Sequence, residues 1–120
     1  NSTFVAVGDN GTIVRSAKDN DSSWDNATSP TTNNLYGVSF GNNAFVAVGD
    51  NGTIVRSTDN GSTWDNVTSP TSNFLIGVVF GHNTFVAVGT YGNILRSTDN
   101  GSSWDNATSP TPNQLRGVGF

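Results

Sequence analysis

The octet Ser57-Thr58-Asp59-Asn60-Gly61-Ser62-Thr63-Trp64 decides the fold, because it recurs as Ser97 to Trp104 and, loosened, as Ser16 to Trp24. Each copy reads as a turn. Gly61 supplies the positive φ that a short hairpin demands, and the Asp59 carboxylate is placed to accept hydrogen bonds from the backbone N–H groups that follow it. Trp64 then opens the next strand. Burial of one indole per repeat is expected to carry much of the stability, since truncating a buried Trp costs about 3–5 kcal/mol.

Working outward, Trp24, Trp64 and Trp104, and likewise Phe40, Phe80 and Phe120, lie 40 residues apart. A fixed period of this size is the mark of blades or solenoid turns. Four strands are expected per period, most cleanly over 35–40, 44–48, 53–57 and 63–68. They are separated by Gly41-Asn42-Asn43, Gly49-Asp50-Asn51-Gly52 and Asp59-Asn60-Gly61. In the next copy the corresponding strands are expected over 74–80, 84–88, 93–97 and 103–108. Ser69-Pro70-Thr71-Ser72-Asn73 reads as the crossover between units. Phe45-Val46-Ala47-Val48 and Leu75-Ile76-Gly77-Val78-Val79-Phe80 do not alternate with polar residues, so the inner strands must be covered on both faces. Stacked blades provide that cover. The fourth strand turns polar after Trp64, as suits an outer edge.

The expected fold is therefore all-β, a β-propeller of four-stranded antiparallel blades of about 40 residues. The chain supplies three blade-equivalents, circularly offset: 1–34 as strands two to four of a first blade, 35–73 and 74–112 as complete blades, and 113–120 as the first strand of a following or closing blade. Closed rings need about 4–8 blades, so Leu115 to Phe120 is expected to pair with a strand equivalent to Thr3 to Val7, from another copy or from further repeats. The chain opens inside a repeat, as a window from a longer array would.

The octet resembles the Asp-box, or bacterial neuraminidase repeat, whose pattern is Ser/Thr-x-Asp-x-Gly-x-Thr-Trp/Phe. Ser57, Asp59, Gly61, Thr63 and Trp64 match every fixed position, and Ser97, Asp99, Gly101, Ser103 and Trp104 differ only by Ser103. The first copy keeps Ser16, Asp19 and Trp24, with one residue inserted and Asp21 where Gly is expected. The flanking F-V-A-V-G-D-N-G-T-I-V-R-S is similar to bacterial propellers of the photosystem II assembly factor type and of surface-protein repeats. The resemblance implies three functions: a structural or interaction module of a secreted or surface protein, a glycan-binding or sialidase-like module, or a photosystem assembly chaperone.

Composition narrows these. The 120 residues include no cysteine, which excludes thiol chemistry and Cys-based metal sites, and no stretch long and apolar enough to span a bilayer. Net charge is −4 with every acidic residue an Asp, which argues against nucleic acid as a partner. A sialidase would need, by the resemblance, a Tyr nucleophile with Glu, an acid/base Asp and three distinct Arg residues. This chain has no Glu, Tyr36 and Tyr91 hold different places in the repeat, and Arg15, Arg56 and Arg96 are one residue copied three times. The reading is non-catalytic, without cofactor. Those three Arg residues form a candidate anion-binding ring, with local pairing as the alternative. Asn26, Asn66 and Asn106 each open an N-x-Thr sequon on the outer strand and are candidate glycosylation sites. Asp19-Asn20-Asp21 offers too few oxygens for calcium, and His82, the sole histidine, reads as a surface residue. The expected partners are copies of the chain or further blades, with glycans as candidate ligands, in an extracellular or cell-surface setting.

Overall fold

A computed structural model describes residues 3–16 and 23–120. Three antiparallel sheets follow one another along the chain. The first has β1 (Phe4–Val7), β2 (Ile13–Ser16) and β3 (Asp25–Asn26); the second, β4 (Leu35–Gly41), β5 (Ala44–Gly49), β6 (Ile54–Ser57) and β7 (Asp65–Asn66). The third repeats the second as β8 (Leu75–Gly81), β9 (Thr84–Gly89), β10 (Ile94–Ser97) and β11 (Asp105–Ala107). Each full sheet is a meander from inner to outer strand, the all-β blade arrangement expected from the sequence.

Local chemistry explains the connections. Asn42-Asn43 and His82-Asn83 all have positive φ, giving the two-residue turn whose twist matches an antiparallel hairpin. The second and third strands of each blade are joined by a 3-10 turn whose middle residue, Asn10, Asn51 or Tyr91, is left-handed. A bulge interrupts the register between Leu35 and Gly37 and again between Leu75 and Gly77, turning Tyr36 and Ile76 out of the regular alternation.

The strand β5 is buried along its whole length, and its two faces serve different neighbours. Phe45 and Ala47 pack with Val55, Trp64 and Leu35 against Ile13 of the first blade. Ala44, Val46 and Val48 join Ile54 in a second core with Phe85, Ala87, Leu95 and Trp104 of the third blade. A period-two strand that is apolar on both faces thus welds two interfaces at once.

Three expectations are corrected. The outer strand of the second blade was expected over 63–68 and spans only Asp65–Asn66. Thr63 spends its N–H and hydroxyl on Asp59 instead of the ladder, and Val67 makes one last bond, to the Ile54 carbonyl at 2.8 Å, before the crossover. Burial of an indole in every repeat holds for Trp64 and Trp104, 5% and 6% exposed, whereas Trp24 is 46% exposed. In the complete blades the indole packs with Phe45 or Phe85 on the face turned to the preceding blade; no preceding blade lies against that face of the first sheet among the described residues, so Phe4, the counterpart of Phe45 and Phe85, is exposed as well. Finally, Leu115 to Phe120 is not a strand. It occupies an inner-strand position all the same: Leu115 N–H donates to Gly89 O at 2.9 Å as Leu35 N–H does to Gly8 O at 3.0 Å. The Phe120 ring covers Gly81 as the Phe80 ring covers Gly41. Ladder bonds are lacking because no second strand lies beside it.

Candidate functional site

The repeated octet builds a closed hydrogen-bond knot. Ser57 Oγ donates to Asp59 Oδ1 at 2.9 Å and accepts from Gly61 N–H at 2.9 Å; Thr63 N–H donates to Asp59 Oδ1 at 2.9 Å. The Trp64 indole N–H closes the turn on Gly61 O at 2.8 Å. Ser97, Asp99, Gly101, Ser103 and Trp104 repeat every bond. Gly101, at φ +84°, also lies where a Cβ would come 2.9 Å from Val46 Cγ2 of the preceding blade. Ser57 and Ser97 are buried and Asp59 is satisfied by its own turn, so this Asp is committed to holding the chain. Ser16 is buried as well, while Asp19 lies outside the described residues, as do Asn20 and Asp21 of the first turn.

The knot makes stability depend on acid. The Thr63 hydroxyl, then the Thr63 N–H and the Ser57 hydroxyl, hold the Asp59 pKa down from 3.8 to about 2. The Ser103 hydroxyl and N–H, with Ser97, do the same for Asp99, also to about 2. A carboxylate whose pKa falls on folding stabilises the fold while ionised, so the contribution is complete above about pH 4 and is lost as pH drops towards 2. The urea midpoint is expected to fall across that window. In the double variant Asp59→Asn/Asp99→Asn the midpoint should be lower at pH 7 and the fall shallower; parallel profiles would contradict this origin.

The candidate arginines are drawn into the blade interfaces. Arg15 Nε donates to Asn60 O at 3.2 Å and Arg56 Nε to Asn100 O at 2.8 Å, each reaching the octet of the next blade. Arg96 is exposed, with no described blade beyond it. The three are separated along successive blades. Of the sequon asparagines, Asn26, Asn66 and Asn106 are all exposed; Asn66 Nδ2 donates to Pro30 O at 3.0 Å and Asn106 Nδ2 to Pro70 O at 3.5 Å.

A second locus was missed from the sequence. At the end where the 3-10 turns meet the starts of the inner strands, Tyr36, Phe74 and Tyr91 are 46%, 45% and 74% exposed. Tyr36, Phe74, Ile76, Thr90 and Gln114 line a cleft of about 240 Å³. Phe74 and Thr90 also border a neighbouring cleft of about 280 Å³ with Ser72, Asn73 and Tyr91. Hydrogen bonding to the Asp50 carboxylate, with the charges of Asp50 and Asp9, raises the Tyr36 pKa above 10.0. Asp50 Oδ1 itself is enclosed without a hydrogen-bond donor.

The available signal was disagreement between the copies. Residues 34–73 and 74–113 share nearly all of their framework, yet Asn34, Tyr36, Asp50, Asn51, Thr53 and Ser72 become Phe74, Ile76, Thr90, Tyr91, Asn93 and Pro112. All six changes fall at this end. The other marked changes, Ser39 to Val79, Asn42 to His82 and Ala44 to Thr84, fall at or beside the opposite hairpin. Tyr91 is the costliest of them, holding φ at +59° where the equivalent positions carry Asn10 and Asn51. Asn tolerates that region and a bulky residue does not. Tyr91→Asn is accordingly expected to raise stability by about 0.5–1 kcal/mol in urea denaturation; a loss of stability would show that the ring is structural.

Among the described residues no group of three or more His, Cys, Asp or Glu could hold a metal ion. A family model described as the DUF6242 beta propeller domain matches residues 1–116. No curated protein matches the sequence. Among solved structures, YCF48 bound to a D1 peptide superposes with a TM-score of 0.76 at 20% identity, covering 92% of this chain and 38% of that one. YCF48 from Cyanidioschyzon merolae gives 0.73 at 21%, covering 92% and 37%. A chain of a nidogen/laminin complex gives 0.67 at 12%, covering 90% and 45%. This chain therefore spans less than half the length of each of these three structures.

Proposed function

The chain belongs to the DUF6242 beta-propeller domain family, and from that premise we propose that it is a non-catalytic interaction module, a run of Asp-box blades that associates through its open blade. The observation that carries this reading is the complementarity of the two ends. The strand β1 lacks an inner partner, and Leu115 to Phe120 sits in an inner-strand position with no second strand beside it. In the complete blades Phe40 faces Phe45 and Phe80 faces Phe85, with ring centroids 4.7 and 4.8 Å apart. Applied to the open edges, the same register sets Phe120 opposite Phe4 and Leu115 opposite Gly8. The second strand comes from another copy, or from further blades of a longer chain. The exposed sequons at Asn26, Asn66 and Asn106 support an extracellular or cell-surface setting.

The native chain has no cysteine, which permits a clean test. In the double variant Phe4→Cys/Phe120→Cys, mild oxidation should yield disulfide-linked multimers, since facing residues of an antiparallel pair lie about 4.5–5.5 Å apart. The control Phe4→Cys/Val118→Cys, two residues out of register, should link far less. Equal linking in both, or none, would refute the edge pairing.

A second reading is favoured by one finding: a protein of similar fold, YCF48, has been captured with a D1 peptide. On that reading the module also holds a peptide of a partner protein, in the manner of an assembly factor. Binding of a glycan to the native chain, with no peptide bound, would instead favour the glycan-binding reading.

A further inference from the structure

Three independent features converge on the end that bears the 3-10 turns. Two nearly identical repeats diverge there in chemistry while the framework that supports them is unchanged. Large apolar groups, Tyr36, Phe74 and Tyr91, stand exposed around two clefts that share Phe74 and Thr90. Tyr91 is kept in a left-handed turn position that disfavours it, a form of strain that collects at binding sites. The framework does not require Phe74 or Tyr91, since the other copies carry Asn34 and Gln114, or Asn10 and Asn51, at the same positions.

Charge narrows the ligand. Asp9 and Asp50 bracket Tyr36 across the junction of the first and second blades, where Asn10 N–H is bound to Asn34 Oδ1 at 2.9 Å. Neither carboxylate has an ion pair among the described residues, and Asp50 Oδ1 lacks a donor. The side chains of Arg15 and Arg56 are engaged at the octets of the following blades. Asp9 and Asp50 are the acidic residues that open the 3-10 turns, and Arg116, at the repeat position of Tyr36 and Ile76, stands one blade further on. A neutral sugar could stack on the rings but would leave the paired carboxylates uncompensated.

We propose that this end docks an extended cationic peptide segment: an arginine or lysine side chain enters between Asp9 and Asp50 over the Tyr36 ring, and an adjacent aliphatic side chain fills the cleft of Tyr36, Phe74, Ile76, Thr90 and Gln114. The guanidinium or ammonium donates to the carboxylates and meets the face of the ring. The cleft, open between blades, takes the apolar neighbour, and Tyr91 flanks the onward path of the peptide. This proposal rests on the interaction-module reading and names its ligand.

The test uses the 120-residue chain, ¹⁵N-labelled, titrated at low salt with acetyl-Gly-Leu-Arg-Leu-Gly-amide. Two further peptides carry citrulline or glutamate in place of arginine. Saturable shifts are expected at Asp9, Asn34, Tyr36, Phe74, Thr90 and Tyr91. The citrulline peptide should bind at least ~10-fold more weakly and the glutamate peptide more weakly still, as for loss of a charge-assisted hydrogen bond. Asp50→Asn should weaken the arginine peptide by at least ~10-fold and Phe74→Ser should weaken it as well, both with otherwise unchanged spectra. Equal binding of the arginine and citrulline peptides would overturn the cationic recognition while leaving the interaction module intact. Shifts confined to the Asn42-Asn43 and His82-Asn83 hairpins, or no saturable shift with any peptide, would overturn the docking face, and the cysteine cross-link would then judge the module by itself.

Discussion

Trp104→Ala is expected to lower stability by about 3–5 kcal/mol. The Trp104 indole is 6% exposed, lies against Phe85 with centroids 6.3 Å apart, and donates to Gly101 O at 2.9 Å. Truncation therefore opens a cavity in the core shared by the second and third blades and also leaves an octet carbonyl unpaired. Trp24→Ala supplies the internal control. The same residue at the same point of the repeat is half-exposed, and its removal should cost under about 1 kcal/mol. Chemical denaturation of both variants checks the pair. Equal losses would mean that the first blade is packed like the others, although no preceding blade covers its Trp24 face among the described residues.

Gly52→Ala should be nearly as damaging, for a different reason. Gly52 has φ +70°, and a Cβ there would lie 1.9 Å from the carbonyl oxygen of Thr71. That oxygen belongs to backbone held in place, since Thr71 O accepts from Ser69 Oγ at 3.1 Å. The left-handed backbone costs an alanine about 1–2 kcal/mol, and displacing the crossover adds an overpacking cost of about 1–3 kcal/mol. A thermal midpoint lowered by many degrees is expected, whereas Asn51→Gly, one residue earlier at φ +58°, should be tolerated. If Gly52→Ala were neutral, the packing of turn against crossover would be wrong.

Much of the fold was readable because the period and the apolar runs speak to global packing. Phe45-Val46-Ala47-Val48, with no polar alternation, can only be covered on both faces, and the two cores on either side of β5 show it so. The outer strand was overestimated because Thr63 looks like a strand former in sequence. Its hydroxyl and N–H are captured by Asp59, a local bond that competes with the ladder. Trp24 was misjudged because burial depends on what lies next to a residue, here a preceding blade such as covers Trp64 and Trp104, which the first sheet lacks among the described residues.

The candidate site was harder to read. Arg15 and Arg56 stood out because they repeat, yet repetition is what a blade-to-blade contact requires, and each reaches the next octet. Residues that recognise something outside the repeat have no reason to be copied. Phe74 against Asn34, Ile76 against Tyr36 and Tyr91 against Asn51 carry that distinction in plain sequence. Their gathering at one end depends on the register of the inner strand against the 3-10 turn, which only the fold supplies.

Native mass spectrometry of the 120-residue chain puts the open blade to its most direct trial. If β1 and Leu115 to Phe120 are the two halves of one blade, the spectrum should show discrete multimers of the 12.5 kDa chain that deleting residues 114–120 returns to monomer. A folded chain found only as a 12.5 kDa monomer at micromolar concentration would contradict the account.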